Sequence, residues 1–172
     1  MMLVETISSV GATSRWHMAN TYTQIYIQVV FAVSGRQCLI SKEFKEDLYK
    51  YIGGIIRNEN QKLIAINGMP DHTHILIGIM PNMAVSNLVK GIKSSSSNFI
   101  NSKRWVRGRF SWQEGFGAFS YSHSQLGAVA KYVENQEAHH AKKSFKEEYL
   151  ALLRKFDIAY DNNYLFKWME ES

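Results

Sequence analysis

Residues 62–80 read KLIAINGMPDHTHILIGIM, and this stretch decides the fold that we expect for the chain. It contains two short apolar segments that are separated by residues typical of strand ends. The first segment covers residues 62–67 and ends at Gly68. The second covers residues 71–80 and lies between the only two prolines of the chain. The stretch therefore predicts two successive strands.

A strand and a helix precede this stretch. Across residues 23–33 apolar and polar side chains alternate, which is typical of a half-buried strand. One face carries Ile25, Ile27, Val29 and Phe31, and the other carries Gln24, Tyr26 and Gln28. Ser41 can then cap a helix whose apolar residues recur at helical spacing. These residues are Phe44, Leu48, Ile52, Ile55 and Ile56.

More helices and one more strand follow. In chain order, the pattern predicts a helix over 85–101, a loop over 102–122 that leads into a strand near 118–121, and a helix over 124–138. A fourth helix starts at Ser144, where Ser144 and Glu147 match a capping box. The order β-α-β-β-α-β followed by helices predicts an α+β fold. The expected architecture is a ferredoxin-like (split βαβ) antiparallel sheet with packed helices and a C-terminal tyrosine-bearing helix.

The composition fits one domain with a hydrophobic core. The chain has 172 residues, of which 45% are hydrophobic and 13% aromatic, so we expect neither two full domains nor a disordered chain. No apolar run approaches the roughly 20 residues of a membrane-spanning helix. A single cysteine, Cys38, excludes an intramolecular disulfide framework and is compatible with a reducing cytoplasm. The net charge of +5 is compatible with a polyanionic partner.

The two ends of the chain differ from the part between them. Residues 1–17 show no hydrophobic period and lack the features of a secretory signal. We therefore expect a flexible N-terminal extension, followed by a single domain over residues 18–172. The C-terminal tail is rich in aromatic side chains that we expect to pack against the domain. These side chains are Tyr160, Tyr164, Phe166 and Trp168.

His72 and His74 form the first group of residues with chemical potential. Residues two apart in a strand share a face, so the two imidazoles project together while Thr73 points to the opposite, buried face. Two neighbouring imidazoles are suited to a divalent metal. The alternative is two histidines on a solvated strand end, because a His-x-His pattern is short.

Tyr132 and Gln136 form the second group. Their i and i+4 spacing places both on one side of a helix, at the flank of its apolar stripe. In one interpretation Tyr132 is ordinary boundary packing. In the other, its phenol is a nucleophile and the Gln136 amide oxygen is a ligand for a hard cation such as Mg²⁺ or Mn²⁺. His139 and His140 point about 100° apart on a helix, so we do not expect them to bind one metal together.

A third group combines basic and aromatic residues. Cations interleaved with the indoles of Trp105 and Trp112 are suited to single-stranded nucleic acid, because charge binds phosphates and rings stack on bases. The alternative is a solvated loop with one of the indoles in the core. The candidate DNA-binding residues are Lys90, Lys93, Arg104, Arg107 and Arg109.

Together these segments resemble a known family. The chain resembles the single-tyrosine HUH transposases, the TnpA-like group that includes the REP-associated tyrosine transposases, over about residues 20–157. The resemblance rests on segments in the family's order: 68–76 (GMPDHTHIL), 90–94 (KGIKS), 112–120 (WQEGFGAFS) and 132–136 (YVENQ), followed by His139 and His140. One departure is Thr73, where the family usually has a bulky hydrophobic residue.

The resemblance implies a function and a mechanism. It implies a transposase and endonuclease that nicks and rejoins single-stranded DNA bearing subterminal hairpins. By this resemblance, Tyr132 would attack the scissile phosphate and form a 5′-phosphotyrosine intermediate. His72, His74 and Gln136 would hold one Mg²⁺ or Mn²⁺ ion that polarises this phosphate. The resemblance also implies a homodimer, in which the tyrosine helix of one subunit can complete the metal site of the other.

Two other functions stay open on the residues alone. One is a domesticated, non-catalytic protein that binds DNA hairpins through its basic loop. The other is a different metal-dependent hydrolase, in which an acidic residue such as Asp71 or Glu114 accompanies His72 and His74.

Overall fold

The computed structural model describes residues 22–141 and 143–161, together with Leu165. The expected extension over residues 1–17 lies outside the described residues, as do Tyr164, Phe166 and Trp168 of the aromatic tail. Tyr160 of that tail is described and is 42% exposed, so its ring is only partly covered. Within the described ranges, no helix has both the length and the apolar character needed to cross a membrane.

The described residues form a four-stranded sheet with helices on both faces. The strands are β1 (Ile25–Ala32), β2 (Lys62–Met69), β3 (His72–Ile79) and β4 (Gly117–Tyr121). The helices are α1 (Lys42–Asn58), α2 (Val85–Lys103), α3 (Leu126–Glu134), α4 (Gln136–His140) and α5 (Phe145–Lys155). The strand order is β2–β3–β1–β4, and every neighbouring pair is antiparallel. This order confirms the predicted α+β, ferredoxin-like sheet.

Alternation along the two central strands directs side chains into two separate cores. On one face of the sheet, Val29 of β1 and Ile75 of β3 pack with apolar residues of α1 and α2. On the other face, Val30 of β1 and Leu76 of β3 pack with apolar residues of α3 and α5. His74 pairs directly with Val30 and therefore shares this second face.

The second core, which lies on the face of the sheet covered by α3 and α5, corrects one expectation from the sequence and excludes one alternative. From Gln28 to Ala32, β1 is buried on both faces rather than half-buried. His72, Thr73 and His74 are also fully buried, so the histidines do not lie on a solvated strand end. The reason is that α3 and α5 return to cover the face that carries them, and the alternation within one strand cannot show this.

The turn between β2 and β3 places the histidines at the start of β3. A side chain at Gly68 would collide with the backbone of His72 and Thr73, so this close approach requires glycine. Strand β2 extends to Met69, slightly beyond the end predicted at Gly68.

The helix predicted over residues 124–138 is two helices in the structure. α3 ends before Asn135 and α4 begins after it, and Asn135 itself has φ −96° and ψ 26°. Its side-chain amide donates to the carbonyl of Lys131 at 2.8 Å, and asparagine competes with helical backbone bonds in this way. Tyr132 and Gln136 therefore lie on consecutive helices, although the Gln136 amide still reaches the Tyr132 carbonyl at 3.4 Å.

Candidate active site

His72 and His74 lie side by side in the second core. Their ring centroids are 5.2 Å apart. Nδ1 of His72 lies 2.7 Å from the carboxylate of Asp71, and the Gln28 amide nitrogen lies 2.9 Å from Nδ1 of His74. Because each Nδ1 has a protein partner, both rings present Nε2 to the interior between the sheet and α5.

Asp71 is held in turn by Arg36. The Arg36 guanidinium donates to the Asp71 carboxylate through Nε at 3.0 Å and through a second, shorter contact. Burial alone would raise the pKa of Asp71, but His72 and Arg36 lower it to about 2. Burial also lowers the pKa of His72 to about 4, against the opposing effect of Asp71. An ionised carboxylate therefore orients a neutral imidazole, which is the form that binds metal.

Glu148 of α5 supplies a buried carboxylate to the same site. Its Oε2 atom lies 3.4 Å from Nε2 of His74 and 3.8 Å from Nε2 of His72. Nε2 of His140 lies 2.9 Å from the same Oε2 and 3.1 Å from Nε2 of His72. One ligand atom from each of these four residues lies within 4.8 Å of the others. The four side chains therefore form a compact group of potential metal ligands.

Tyr132 and Gln136 contact this group from α3 and α4. The Tyr132 hydroxyl donates a short hydrogen bond to Oε1 of Glu148, and its ring centroid is 6.0 Å from that of His74. Gln136 is fully buried, and its amide nitrogen donates to the same Oε1 atom at 3.1 Å. The structure therefore brings the predicted residues His72, His74, Tyr132 and Gln136 together within one chain.

The Tyr132 phenol and the Glu148 carboxylate shift each other's pKa in opposite directions. Burial and the neighbouring Glu148 carboxylate raise the pKa of Tyr132 above its ordinary value. Burial alone would raise the pKa of Glu148, but its hydrogen bonds with His140 and Tyr132 and the adjacent His74 imidazole lower it well below the usual range. At neutral pH the pair is a protonated phenol that donates to an ionised carboxylate.

Nε2 of His74 and Oε1 of Gln136 are buried without a hydrogen-bond partner among the described residues. An unpaired buried polar atom costs about 1–3 kcal/mol, and a cation bound to the Gln136 oxygen, or to Nε2 of His74 with the ring proton on Nδ1, would offset that cost. Imidazole nitrogens with carboxylate and amide oxygens form a ligand set that a divalent cation accepts. The residues present therefore fit a divalent metal ion.

The sequence motifs do not contain Glu148, and they assign no ligand role to His140. The predicted capping box of α5 is present, and Glu148 follows Phe145 by three residues and precedes Leu152 by four. This helical spacing places Glu148 on the apolar stripe, where a carboxylate is unusual and could have been noticed. His140 joins the group of potential ligands without its neighbour His139.

The candidate DNA-binding residues differ in their surroundings. Lys93 is partly buried, and its Nζ donates to the carbonyls of Gln113 at 2.6 Å and Gly115 at 2.8 Å. Burial lowers its pKa, against the opposing charge of Glu114. Lys93 therefore connects α2 to the loop before β4. Glu114 is not part of the group of potential metal ligands formed by His72, His74, His140 and Glu148. The exposed candidates are Lys90, Arg104, Arg107 and Arg109.

The two indoles of the basic region pack against the first core. Trp112 is 7% exposed, and its Nε1 donates to the buried Ser96 hydroxyl at 2.8 Å. Trp105 stacks on Phe44 with ring centroids 4.8 Å apart. These contacts favour a structural role for both indoles over base stacking.

Among the described residues, cavities lie on two sides of the cluster formed by His72, His74, His140 and Glu148. One of about 300 Å³ is lined by Tyr132, His139, Lys143 and Glu148, among others. The other, of about 450 Å³, lies on the side of His72 and also includes Lys143. The exposed Lys143 side chain places a positive charge at both cavities, which favours an anionic ligand beside the phenol.

Comparison with known proteins decides the family. Residues 21–136, more than half of the chain, match the family described as "Transposase IS200 like". The chain belongs to the IS200-like transposase family. The resemblance to the single-tyrosine HUH transposases is thereby confirmed.

Relatives of this IS200-like transposase agree with that assignment. It is 23% identical to the ISDra2 transposase TnpA of Deinococcus radiodurans over 118 residues, which are 66% of this chain and 84% of that protein. A crystal structure of a candidate transposase from Deinococcus radiodurans R1 has a TM-score of 0.56 and 22% identity, covering 69% of this chain and 95% of that one. The REP-associated tyrosine transposase bound to a REP hairpin has a TM-score of 0.55 and 12% identity, covering 91% and 93%. The two structural matches show that the fold is shared.

Proposed function

We propose that this IS200-like transposase nicks and rejoins single-stranded DNA through Tyr132. The observation that carries the proposal is that the Tyr132 phenol, His72, His74 and Gln136 converge in the second core of one chain. A hydroxyl nucleophile beside a set of metal ligands is the arrangement that metal-assisted phosphoryl transfer requires. Membership of a transposase family supports DNA transposition as the use of this chemistry.

In the proposed cleavage step, the Tyr132 oxygen attacks the scissile phosphorus in line with the 3′-oxygen. A bond forms between the phenolic oxygen and phosphorus while the bond from phosphorus to the 3′-oxygen breaks. The phenol loses a proton and the departing 3′-oxygen gains one. The products are therefore a 5′-phosphotyrosine and a free 3′-hydroxyl. Rejoining is the reverse attack by a 3′-hydroxyl, which regenerates the phenol without an external energy source.

His72, His74 and Gln136 are the proposed ligands of one Mg²⁺ or Mn²⁺ ion. The unpaired Nε2 of His74 and Oε1 of Gln136 support this assignment. When bound, such an ion withdraws negative charge from the scissile phosphate and favours ionisation of the phenol. The chain itself orients His72 through Asp71.

The proposed substrate is single-stranded DNA with subterminal hairpins. A structural relative, the REP-associated tyrosine transposase, is bound to a REP hairpin. Lys143 at the two cavities is suited to the phosphate that approaches Tyr132. A DNA substrate also agrees with a cytoplasmic location, which the single cysteine favours. The residues proposed for further phosphate contacts are Lys90, Arg104, Arg107 and Arg109, with Lys93 positioning the adjacent loop.

We propose that each single domain, residues 18–172, carries a complete site. Val129 and Val133 of α3 are buried in the second core, and the Asn67 side chain donates to the carbonyl of Glu134 at 2.5 Å. These contacts hold the tyrosine helix against its own sheet. In a homodimer, which the family resemblance implies, they favour a site completed within each subunit over an exchange of helices between subunits.

A covalent-adduct assay tests the proposed function. The protein is incubated with single-stranded DNA bearing subterminal hairpins and Mn²⁺, and products are separated on a denaturing gel. We expect a protein–DNA adduct with wild type and none with Tyr132→Phe. An equal adduct with Tyr132→Phe contradicts the assigned nucleophile. Hairpin binding without cleavage under any divalent metal contradicts the nuclease and supports a non-catalytic hairpin-binding protein.

A further inference from the structure

Glu148 has an environment that the ligand set His72, His74 and Gln136 leaves unexplained. Its side chain is 2% exposed. Among the residues that the structure describes, its ion-pair partners are all histidines: His72, His74, His139 and His140. Histidine is charged only when protonated, so this carboxylate has no permanently charged positive partner there. A buried carboxylate is costly without a compensating charge, which a bound cation supplies.

The two oxygens of Glu148 face different groups. Oε2 faces three imidazole nitrogens, those of His140 at 2.9 Å, His74 at 3.4 Å and His72 at 3.8 Å. Oε1 accepts from the Tyr132 hydroxyl. One oxygen therefore faces the candidate imidazole ligands, and the other accepts from the candidate nucleophile and from the Gln136 amide.

The spacing of these atoms suits a common ion. The ligand atoms of the His72, His74, His140 and Glu148 group lie within 4.8 Å of one another. Atoms that bind one Mg²⁺ ion at about 2.1 Å lie up to about 4.2 Å apart, so small side-chain shifts suffice. A carboxylate oxygen also makes the site more favourable for hard cations than imidazole alone does.

We propose that Glu148 is an additional ligand of the divalent cation and that its second oxygen positions the Tyr132 phenol. One carboxylate then links the cation to the nucleophile. This inference rests on the proposed function. It also extends beyond the family pattern, because the family match ends at residue 136 and Glu148 lies twelve residues further along, on α5.

Gln136 and His140 support the carboxylate in this arrangement. The Gln136 amide nitrogen donates to Oε1 of Glu148 at 3.1 Å, and the Gln136 amide oxygen, which has no hydrogen-bond partner among the described residues, can bind the cation. His140 contacts the opposite oxygen, Oε2. Protein contacts therefore hold both oxygens of the carboxylate, as a preorganised site requires.

The test is Mn²⁺ affinity, measured by isothermal titration calorimetry on the full chain without DNA. We expect Glu148→Gln to weaken Mn²⁺ binding by about tenfold or more, the range found when support for a metal site is removed. Glu137→Gln is the matched control, because it makes the same change at an exposed carboxylate of α4 that pairs with Lys45. We expect the control to bind Mn²⁺ like wild type, and His74→Ala to lose binding.

The outcomes separate this inference from the proposed function. Wild-type affinity in Glu148→Gln with lost affinity in His74→Ala overturns the ligand role of Glu148 and leaves the proposed metal site standing. Unchanged affinity in His74→Ala overturns the proposed metal site itself. For the positioning role, we expect Glu148→Gln at saturating Mn²⁺ to form adduct more slowly with unchanged hairpin affinity, and a wild-type rate overturns that role.

A second measurement does not depend on the variant folding. Wild-type crystals grown with Mn²⁺ are examined by anomalous diffraction, which locates the ion directly. We expect an anomalous peak within roughly 2.0–2.4 Å of a Glu148 oxygen. A peak at His72 and His74 but beyond bonding distance of Glu148 overturns the inference.

Discussion

The side-chain amide of Gln28 lies 2.9 Å from Nδ1 of His74, and the Tyr121 hydroxyl donates to the oxygen of the same amide at 2.9 Å. In this orientation the amide nitrogen donates to Nδ1, so the ring proton is on Nε2. Binding of a cation through Nε2 needs the proton on Nδ1, and the amide must then present its oxygen to His74. The Tyr121 hydroxyl accepts as well as donates, so the amide can reverse without losing a hydrogen bond.

This relationship predicts that Gln28 sets the metal affinity of His74. Gln28→Leu removes the amide oxygen and nitrogen at similar side-chain volume. We expect it to weaken Mn²⁺ binding by about 10–100-fold, because the His74 ring loses the partner that orients it. Calorimetric titration of Mn²⁺ checks this. Tyr121→Phe is the control, because it keeps the amide next to His74 and should cause a smaller loss. Equal Mn²⁺ affinity in Gln28→Leu and wild type would show that this contact does not orient the ligand.

Tyr121 also predicts a pH dependence of stability. Burial raises the pKa of Tyr121 to about 12, whereas a phenol in the unfolded chain ionises near pH 10. Between these values the unfolded state binds fewer protons than the folded state, so the free energy of unfolding decreases as pH rises. We expect the stability advantage of wild type over Tyr121→Phe to shrink by about 1 kcal/mol between pH 9 and pH 11.

Denaturant unfolding of both proteins at several alkaline pH values measures this difference. Other tyrosines titrate in both proteins and therefore cancel in the comparison. If the difference in the free energy of unfolding between wild type and Tyr121→Phe stays constant across this pH range, the prediction is contradicted.

The sheet could be predicted from the sequence because the patterns that indicate its strands and helices lie within single segments of the chain. Alternation along β1 and β3 and the helical spacing of α1 appear within single segments, and the strand order follows from connections that this fold allows. The shared face of His72 and His74 follows from the same local rule. Pattern within segments was therefore enough to place two imidazoles together.

The rest of the site depends on contacts between distant segments. His72 is buried because α5 returns across its face, and Phe145 stacks on the His72 ring with centroids 4.0 Å apart. No periodicity near residue 72 contains that information. Glu148 could have been noticed on its apolar stripe, but its convergence with Tyr132 depends on the break at Asn135 and on the loop that follows α4.

Completion of the site within one chain predicts the outcome of a mixing experiment. His72→Ala lacks a metal ligand and Tyr132→Phe lacks the nucleophile, so each variant alone should form no adduct. If α3 stays on its own sheet, a mixture of the two variants also forms none, because neither chain holds both groups. The adduct gel is the measurement, and wild type mixed with Tyr132→Phe controls for inhibition. Adduct recovered in the mixture of the two variants shows that the tyrosine helix acts on the partner's site.

The basic region predicts that Arg107 and Lys93 act differently. Arg107 is exposed, so we expect Arg107→Ala to weaken hairpin DNA binding for all sequences alike and to reduce the slope of log affinity against log salt by about 1. Lys93 donates to two loop carbonyls, so we expect Lys93→Ala to lower the melting temperature and to change the salt slope less. Fluorescence anisotropy with a labelled hairpin at several salt concentrations, beside thermal unfolding, separates the two effects. A salt slope that falls more in Lys93→Ala than in Arg107→Ala contradicts the structural role of Lys93, because only a lost phosphate contact releases fewer counterions.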